Sequence, residues 1–247
     1  MRQIGSIALA VGMVILGLSF AIAKVERGRT LEGRKLFYDA SLGTNGTSCA
    51  MCHADFDENR NPDGLIRVGH PLYNAAYRYG FWGEETRDNY KTVAHGAAVC
   101  VEHYMQNPDK LDAQQLEDLN AYILEISPQM KIRPLFPAPA AARVYDGFEA
   151  GDRRIGRKLF YRACHVCHPN GGSGIGPALN PNLPAGAYAK KIREGDGFAA
   201  VASGIDPNAY NPKSGEFMPF FGIDRLSDPD VRDIIAYIKS LRPKRQK

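Results

Sequence analysis

Two copies of the pattern C-x-x-C-H constrain this chain of 247 residues more than any other feature. The first copy is Cys49-Ala50-Met51-Cys52-His53, and the second is Cys164-His165-Val166-Cys167-His168. On one helical turn, cysteines at i and i+3 lie on the same side, where both thiols can form thioethers with the vinyl groups of one haem. The histidine that follows can then ligate the iron. The two motifs therefore predict two covalently bound haem c groups, with His53 and His168 as iron ligands.

An internal repeat places each motif in a module of its own. The sequence Gly-Arg-Lys-Leu-Phe-Tyr occurs at residues 33–38 and again at 156–161, ahead of the two motifs. After the motifs, Ala-Tyr-Ile occurs at residues 121–123 and 236–238, in both cases 68 residues from the motif histidine to the alanine. The repeat predicts two tandem copies of one fold.

Each module is predicted to close with an amphipathic helix. Apolar residues recur at intervals of three to four, at Leu116, Leu119, Ile123 and Ile126 and again at Val231, Ile234, Ile238 and Leu241. Asp112 with Gln115, and Ser227 with Asp230, have the spacing of a capping box at the start of each helix. The predicted fold class is all-α.

The order of segments along the chain follows from these features. We predict modules at residues 30–127 and 152–242, joined by a connector at 128–151 that is rich in proline and alanine. Residues 1–23 contain an uncharged run that ends in Ala-Ile-Ala, the small-x-small pattern of a signal-peptidase site. The run is also long enough to cross a bilayer and remain as a membrane anchor. Both alternatives predict an extracytoplasmic protein, in the periplasm or an equivalent compartment, either soluble or anchored by the N-terminal helix.

The net charge predicts no nucleic-acid partner. The formal charge is +4, with 31 Lys and Arg against 27 Asp and Glu. Each haem would add two propionate carboxylates, so that two haems could cancel the excess. The partners expected of such a chain are redox proteins: a donor enzyme, and an acceptor cytochrome or oxidase.

The two motifs, the repeated segment and the closing helices resemble class I c-type cytochromes. The resemblance implies that the Gly-Arg-Lys-Leu-Phe-Tyr helix crosses the closing helix, with the haem below them. It also implies a methionine ligand in the loop before the closing helix, where Met218-Pro219 lies 50 residues after His168. It further implies that the segment at residues 174–179, around Pro177, backs the His168 imidazole, where a hydrogen bond would fix the tautomer.

The first module departs from this pattern because no Met-Pro follows His53. Three alternative iron ligands, Cys100, His103 and Met105, lie within six residues, and on a helix Cys100 and His103 would share a face. The stretch resembles the first domain of thiosulfate dehydrogenases, in the residues His70-Pro71-Leu72-Tyr73, Cys100, Met105 and Gln106. That resemblance implies histidine and cysteine ligation, here by His53 and Cys100. The family usually has an arginine where His103 stands, so Met105 and His103 remain alternatives.

Three functions are compatible with the sequence. An electron-transfer protein, acting as a carrier or as a subunit of a larger redox complex, requires only the two haems. An enzyme similar to thiosulfate dehydrogenase would oxidise thiosulfate to tetrathionate and would need cations beside the first haem. Arg78 and Arg87 are the candidates, with Arg67 and Lys91 nearby in sequence. A dihaem peroxidase is a third alternative, and it would require an open coordination site on one iron.

Overall fold

The computed structural model describes residues 27, 29–78, 92–109, 111–129, 144–195 and 218–241. These residues form helices and turns, and no β-strand occurs among them. The all-α prediction is confirmed. The predicted signal or anchor segment, residues 1–23, lies outside the described ranges. None of the helices within those ranges combines the length and the apolarity needed to span a membrane.

The described part of the first module contains four α-helices and one π-helical turn. A helix over residues 29–38, here α1, precedes the first motif. The remaining elements, in chain order, are α2 (Cys49–Cys52), α3 (Val93–Val99), the π-helical turn (Cys100–Tyr104) and α4 (Ala113–Glu125).

The second module repeats the first and last helices of this arrangement. It contains α5 (Arg153–Ala163), a short 3-10 turn (Pro169–Gly171), α6 (Ala185–Glu194) and α7 (Asp228–Lys239). Residues 144–151, the end of the predicted connector, lie against this module, and Phe148 is buried in its core.

Both predicted capping boxes are confirmed. The Asp112 carboxylate accepts a hydrogen bond from the Gln115 backbone N–H at 2.7 Å, and the Gln115 side chain accepts one from the Asp112 N–H at 3.0 Å. Ser227 and Asp230 exchange the same two bonds at the start of α7. Each pair satisfies N–H groups that the first helical turn would otherwise leave without partners.

The first and last helices of each module cross, as the resemblance implied. Phe160 of α5 is fully buried, and its ring centroid lies 5.1 Å from that of Tyr237 in α7. In the first module Phe37 of α1 is equally buried and lies 5.8 Å from Tyr122 in α4. These aromatic contacts join each crossing to the apolar core of its module.

The segment that contains the alternative ligands of the first module is not a regular α-helix. After α3 the chain widens into the π-helical turn, in which the Met105 N–H donates to the Cys100 carbonyl at 2.9 Å. In such a turn, hydrogen bonds run from residue i to i+5, so the spacing of a regular α-helix does not apply to this segment. A shared face for Cys100 and His103 stays a prediction, because the side chain of His103 is not among those described.

The two modules are in contact. Residues 58–70, called here the bridging segment, follow the first motif and reach the second module. Ile66 and Val68 pack against the core of the second module, and the Ile66 N–H donates to the Arg162 carbonyl at 2.9 Å.

Candidate haem-attachment sites

The first motif forms one short helix followed by an extended residue. Cys49 and Cys52 are the ends of α2, and the His53 N–H donates to the Cys49 carbonyl at 2.9 Å while its own backbone is extended. This turn places the two thiols on one side and sends the imidazole away from the helix. No disulfide joins any of the five cysteines, all of which lie in the described ranges, so the motif cysteines are available for thioether bonds.

The His53 imidazole is held by the bridging segment. Its Nδ1 lies 2.7 Å from the carbonyl oxygen of His70. Since a carbonyl can only accept, Nδ1 carries the proton and Nε2 keeps its lone pair for a metal. Burial lowers the pKa of His53 to about 4, which keeps the ring neutral near pH 7.

The second motif is built in the same way. The His168 N–H donates to the Cys164 carbonyl at 2.9 Å, and the His168 Nδ1 donates to the Pro177 carbonyl at 2.8 Å. The predicted support of His168 near Pro177 is therefore confirmed, and the group that provides it is a backbone carbonyl. Burial lowers the pKa of His168 as well, and its Nε2 is likewise the free nitrogen.

A glycine packs directly on each imidazole. A Cβ atom on Gly69 would lie 2.2 Å from the His53 Cε1, and one on Gly176 would lie 2.4 Å from the His168 Cε1. Each glycine immediately precedes the residue, His70 or Pro177, whose carbonyl accepts the hydrogen bond from Nδ1. Sequence inspection missed the support of His53, although the repeated glycine before the acceptor residue was a signal that could have found it.

Cys164 is buried, and the other three motif cysteines are partly buried. Burial raises the pKa of Cys49 to about 11 and that of Cys164 to about 12. Burial also raises the pKa of Cys52 to about 12, with a smaller contribution from the nearby Cys167 of the second motif.

Cys100 lies beside the first motif. Burial raises the pKa of its thiol, and charge on Cys49 or Cys52 would raise it further. Met105 is 2% exposed and packs in the core of the first module, with its N–H bonded to the Cys100 carbonyl. The side chain of His103 lies outside the described residues.

Met218 lies half-buried against the core of the second module. The chain that follows it is fixed by Arg193, which is 4% exposed and donates to the carbonyls of Phe221 (3.0 Å) and Gly222 (3.2 Å). The same guanidinium forms an ion pair with Asp228 at 2.7 Å. Sequence inspection gave no role to Arg193, because a buried arginine with distant carbonyl partners has no local pattern.

The candidate cations near the first motif differ in what they contact. Arg67 forms ion pairs with Asp63 at 2.6 Å and with Glu58 at 3.5 Å, so its charge is balanced within the bridging segment. Arg78 donates to the Pro71 carbonyl at 2.8 Å and lies close enough to His53 to disfavour its protonation. Arg87 and Lys91 lie outside the described residues.

The donor set at both motifs fits a covalently bound haem. Each motif offers two cysteine thiols on one turn and a neutral imidazole. The Nδ1 of that imidazole donates a hydrogen bond to a backbone carbonyl, which fixes the orientation of the ring. Cys49, Cys52 and His53 would hold the group at the first motif, and Cys164, Cys167 and His168 would hold it at the second.

Comparison with known proteins agrees with this donor set. The family model for cytochrome c matches residues 31–127 and 154–242. A cytochrome c of Stellaria longipes is 33% identical over 107 residues, which are 38% of this chain and 95% of that protein.

Two thiosulfate dehydrogenases are also similar to the chain. The enzyme of Stutzerimonas stutzeri (strain A1501) is 25% identical over 218 residues, which cover 87% of this chain and 66% of the length of that enzyme. The as-isolated structure of thiosulfate dehydrogenase (TsdBA) from Marichromatium purpuratum is 18% identical, with a TM-score of 0.39, over 86% of this chain and 46% of that one.

Proposed function

The chain belongs to the cytochrome c family, and on that basis we propose that it carries two haem c groups and transfers electrons between redox proteins in the periplasm. The observation that carries the proposal is the identical design of the two motif histidines. In both, Nδ1 donates to a backbone carbonyl and Nε2 remains available to iron. A single-haem protein would have no use for the second arrangement.

The residues of the chain would set the properties of the two sites. Bound haem c supplies a reversible one-electron couple. The two cysteine pairs would hold the groups in place, and the carbonyls of His70 and Pro177 would orient the two imidazoles. Met218 is proposed as the second axial ligand in the second module, where a thioether favours the reduced state. In the first module Cys100 is proposed for that role, with Met105 and His103 as the alternatives.

Extracytoplasmic location and redox partners are part of the proposal. Haem attachment to C-x-x-C-H agrees with export, for which residues 1–23 carry the sequence signal. The segment is proposed either to be cleaved or to anchor the chain. The partners are proposed to be a donor enzyme and an acceptor cytochrome or oxidase.

Intact-mass measurement of the natively produced protein tests the number of haems. We expect the mass of the polypeptide plus two covalently attached haems. A variant in which Cys164 and Cys167 are both replaced by alanine should lose one haem, and the matched Cys49 and Cys52 variant should lose the other. A native protein that carries one haem or none would contradict the proposal.

A second candidate function is the oxidation of thiosulfate. It is supported by the 25% identity to a thiosulfate dehydrogenase along most of this chain and by Cys100, the one cysteine of the sequence outside the two motifs. In the reaction, two thiosulfate dianions form one S–S bond to give tetrathionate and release two electrons. Two one-electron sites could accept them, one electron at each.

Thiosulfate and the Cys100→Gly variant separate the two functions. The enzyme function predicts that thiosulfate alone reduces the oxidised protein, and that low-temperature electron paramagnetic resonance shows a low-spin thiolate signal from the first haem. Cys100→Gly should abolish that signal while both haems stay attached, whereas the control Met105→Leu should keep it. If thiosulfate leaves both haems oxidised, the electron-transfer function alone stands.

A further inference from the structure

The bridging segment contacts the first motif at three points. All three are hydrogen bonds to the motif, and two of them use the main chain of the bridging segment. They join the His70 carbonyl to His53 Nδ1 (2.7 Å), the Gly69 N–H to the Cys52 carbonyl (2.9 Å) and the Arg67 Nε to the Ala50 carbonyl (3.1 Å). The position of the bridging segment therefore determines how the His53 imidazole is held.

The second module holds the same segment from the opposite side. The Arg162 carbonyl accepts a hydrogen bond from the Ile66 N–H at 2.9 Å, and the Arg162 Nε donates one to the Gly64 carbonyl at 2.6 Å. Ile66 and Val68 pack on the core of the second module. The bridging segment thus lies between the first motif and the second module, bonded to both.

Arg225 of the second module forms the most extensive of these contacts. Its two terminal nitrogens bind both oxygens of Glu58, at 2.9 and 3.2 Å, and its Nε donates to the Arg67 carbonyl at 2.8 Å. The side chains of Arg225 and Glu58 are only 14% and 15% exposed. A forked arginine–carboxylate pair that is largely shielded from water fixes geometry more strongly than an exposed ion pair does.

Asp224 extends the contact to the residue that supports the imidazole. Its carboxylate is hydrogen-bonded to the His70 Nε2, across 154 positions of sequence. The carbonyl of the same His70 accepts the hydrogen bond from His53 Nδ1. One residue of the bridging segment is therefore bonded to the motif histidine through its main chain and to the second module through its side chain.

We propose that the second module completes the proximal side of the first haem site, with Arg225 and Asp224 as positioning residues that hold His70 and its carbonyl against His53. The inference rests on the proposed attachment of a haem at the first motif. The second motif differs in this respect. The hydrogen bonds that flank Pro177, from the Gly176 N–H to the Cys167 carbonyl and from the Leu179 N–H to the Gly171 carbonyl, stay within the second module.

The consequence is a difference in how the two iron sites respond to the module contact. The hydrogen bond from Nδ1 to a carbonyl increases the electron donation of an imidazole to its metal. If the bridging segment shifts, this bond lengthens for His53 and remains unchanged for His168. The first haem should then move to a higher midpoint potential while the second keeps its value.

Arg225→Gln in the full-length holoprotein is the test, with Arg193→Gln as the matched control. Both are arginines of the second module, with side chains 4% (Arg193) and 14% (Arg225) exposed, and each binds at least one backbone carbonyl and one carboxylate. Arg193, however, fixes the chain after Met218, and its hydrogen-bond partners among the described residues, Phe221, Gly222 and Asp228, all belong to the second module. Redox titration followed by absorbance gives the two midpoint potentials, and a Met218→Ala variant identifies the second haem.

Arg225→Gln is expected to raise the midpoint potential of the first haem and to alter its electron paramagnetic resonance g values, leaving the second haem unchanged. His70→Ala, which keeps the carbonyl and loses the bond to Asp224, should shift the same haem in the same direction. Arg193→Gln should affect the second haem and spare the first. If Arg225→Gln does not accumulate as holoprotein, Arg225→Lys takes its place, since it keeps the charge and loses the fork.

Intact mass separates failure of the inference from failure of the proposed function. If each variant carries two haems and the first haem keeps its potential and g values while thermal stability falls, the module contact is only structural and the inference is overturned. If the unsubstituted protein carries no haem at the first motif, the proposed function itself fails.

Discussion

Gly156 of α5 lies so close to Asp233 of α7 that a Cβ atom on the glycine would be 1.7 Å from the Asp233 carbonyl oxygen. In the first module, a Cβ atom on Gly33 would lie 1.9 Å from the Asp118 carbonyl oxygen. The first residue of the repeated Gly-Arg-Lys-Leu-Phe-Tyr segment is thus the point at which the first and last helices of each module touch. Only glycine allows two backbones to approach this closely.

Gly156→Ala is expected to destabilise the second module even though alanine is the better helix former. The helical preference would favour alanine by about 0.5–1 kcal/mol, whereas overpacking of a tight contact typically costs about 1–3 kcal/mol. The cost falls at the high end here because the contacting atoms belong to the backbone, which cannot change rotamer as a side chain can. Thermal unfolding of the holoprotein followed by circular dichroism measures the change. The control is Ile155→Ala on the exposed side of α5, which should stay within about 0.5 kcal/mol. A variant as stable as the parent would show that the helices can separate at no cost.

The features that sequence predicted well are those fixed by neighbouring residues. The two motifs, the capping boxes and the apolar stripes each depend on residues within a few positions, where helical geometry alone decides which groups meet. The support of His168 near Pro177 was instead expected from the resemblance to class I c-type cytochromes, and the Pro177 carbonyl provides it.

The features that sequence could not predict depend on distant residues. Arg225 and Glu58 meet across 167 positions, and nothing near either residue identifies its partner. The π-helical turn at Cys100 was missed for a different reason. A single widened turn leaves the apolar spacing on both sides intact, so that periodicity does not reveal it.

Ser227→Ala is expected to lower the stability of the second module by about 0.5–2 kcal/mol, the usual cost of losing an N-cap side chain. The Ser227 hydroxyl accepts from the Asp230 N–H and also donates to the Asp230 carboxylate, so that the substitution removes half of the capping box. Chemical denaturation with the haems attached measures the difference. Ser240→Ala, at the other end of α7, is the matched control and should change stability by less than about 0.5 kcal/mol.

Asp55 should control the ionisation of two tyrosines. Its carboxylate accepts hydrogen bonds from the hydroxyls of Tyr38, at 2.6 Å, and Tyr122. Burial, followed by the bond to Asp55, raises the pKa of Tyr38 to about 12, and the same causes raise the pKa of Tyr122. Both hydroxyls therefore remain donors well above the pH at which an ordinary tyrosine ionises.

The sign of the pH dependence follows from these raised values. The folded protein binds the tyrosine protons more tightly than the unfolded chain does. The contribution of these tyrosines to stability is therefore complete below about pH 10 and is lost as the pH rises towards 12. Asp55→Asn removes the negative charge, and ultraviolet absorbance titration should find tyrosine ionisation at lower pH than in the parent. Tyr38→Phe assigns the signal. An unchanged titration curve in Asp55→Asn would mean that burial alone causes the shift.

Gly176→Ala should displace the His168 imidazole while leaving the second haem covalently attached. A Cβ atom there would lie 2.4 Å from the ring Cε1, and the ring cannot retreat without stretching its bond to the Pro177 carbonyl. Because Cys164 and Cys167 are untouched, we expect intact mass to remain that of the dihaem protein while one of two low-spin signals is lost or altered. Gly69→Ala should do the same to the first haem, through His53.

Gly147→Ala is the control for Gly176→Ala. It strains a left-handed residue, whose φ is 79°, but its Cβ would meet nothing within 4 Å. It should therefore lower stability by about 1 kcal/mol with no change in either haem spectrum. If Gly176→Ala behaves like this control, the close packing of glycine on the imidazole is not what holds the ligand in position.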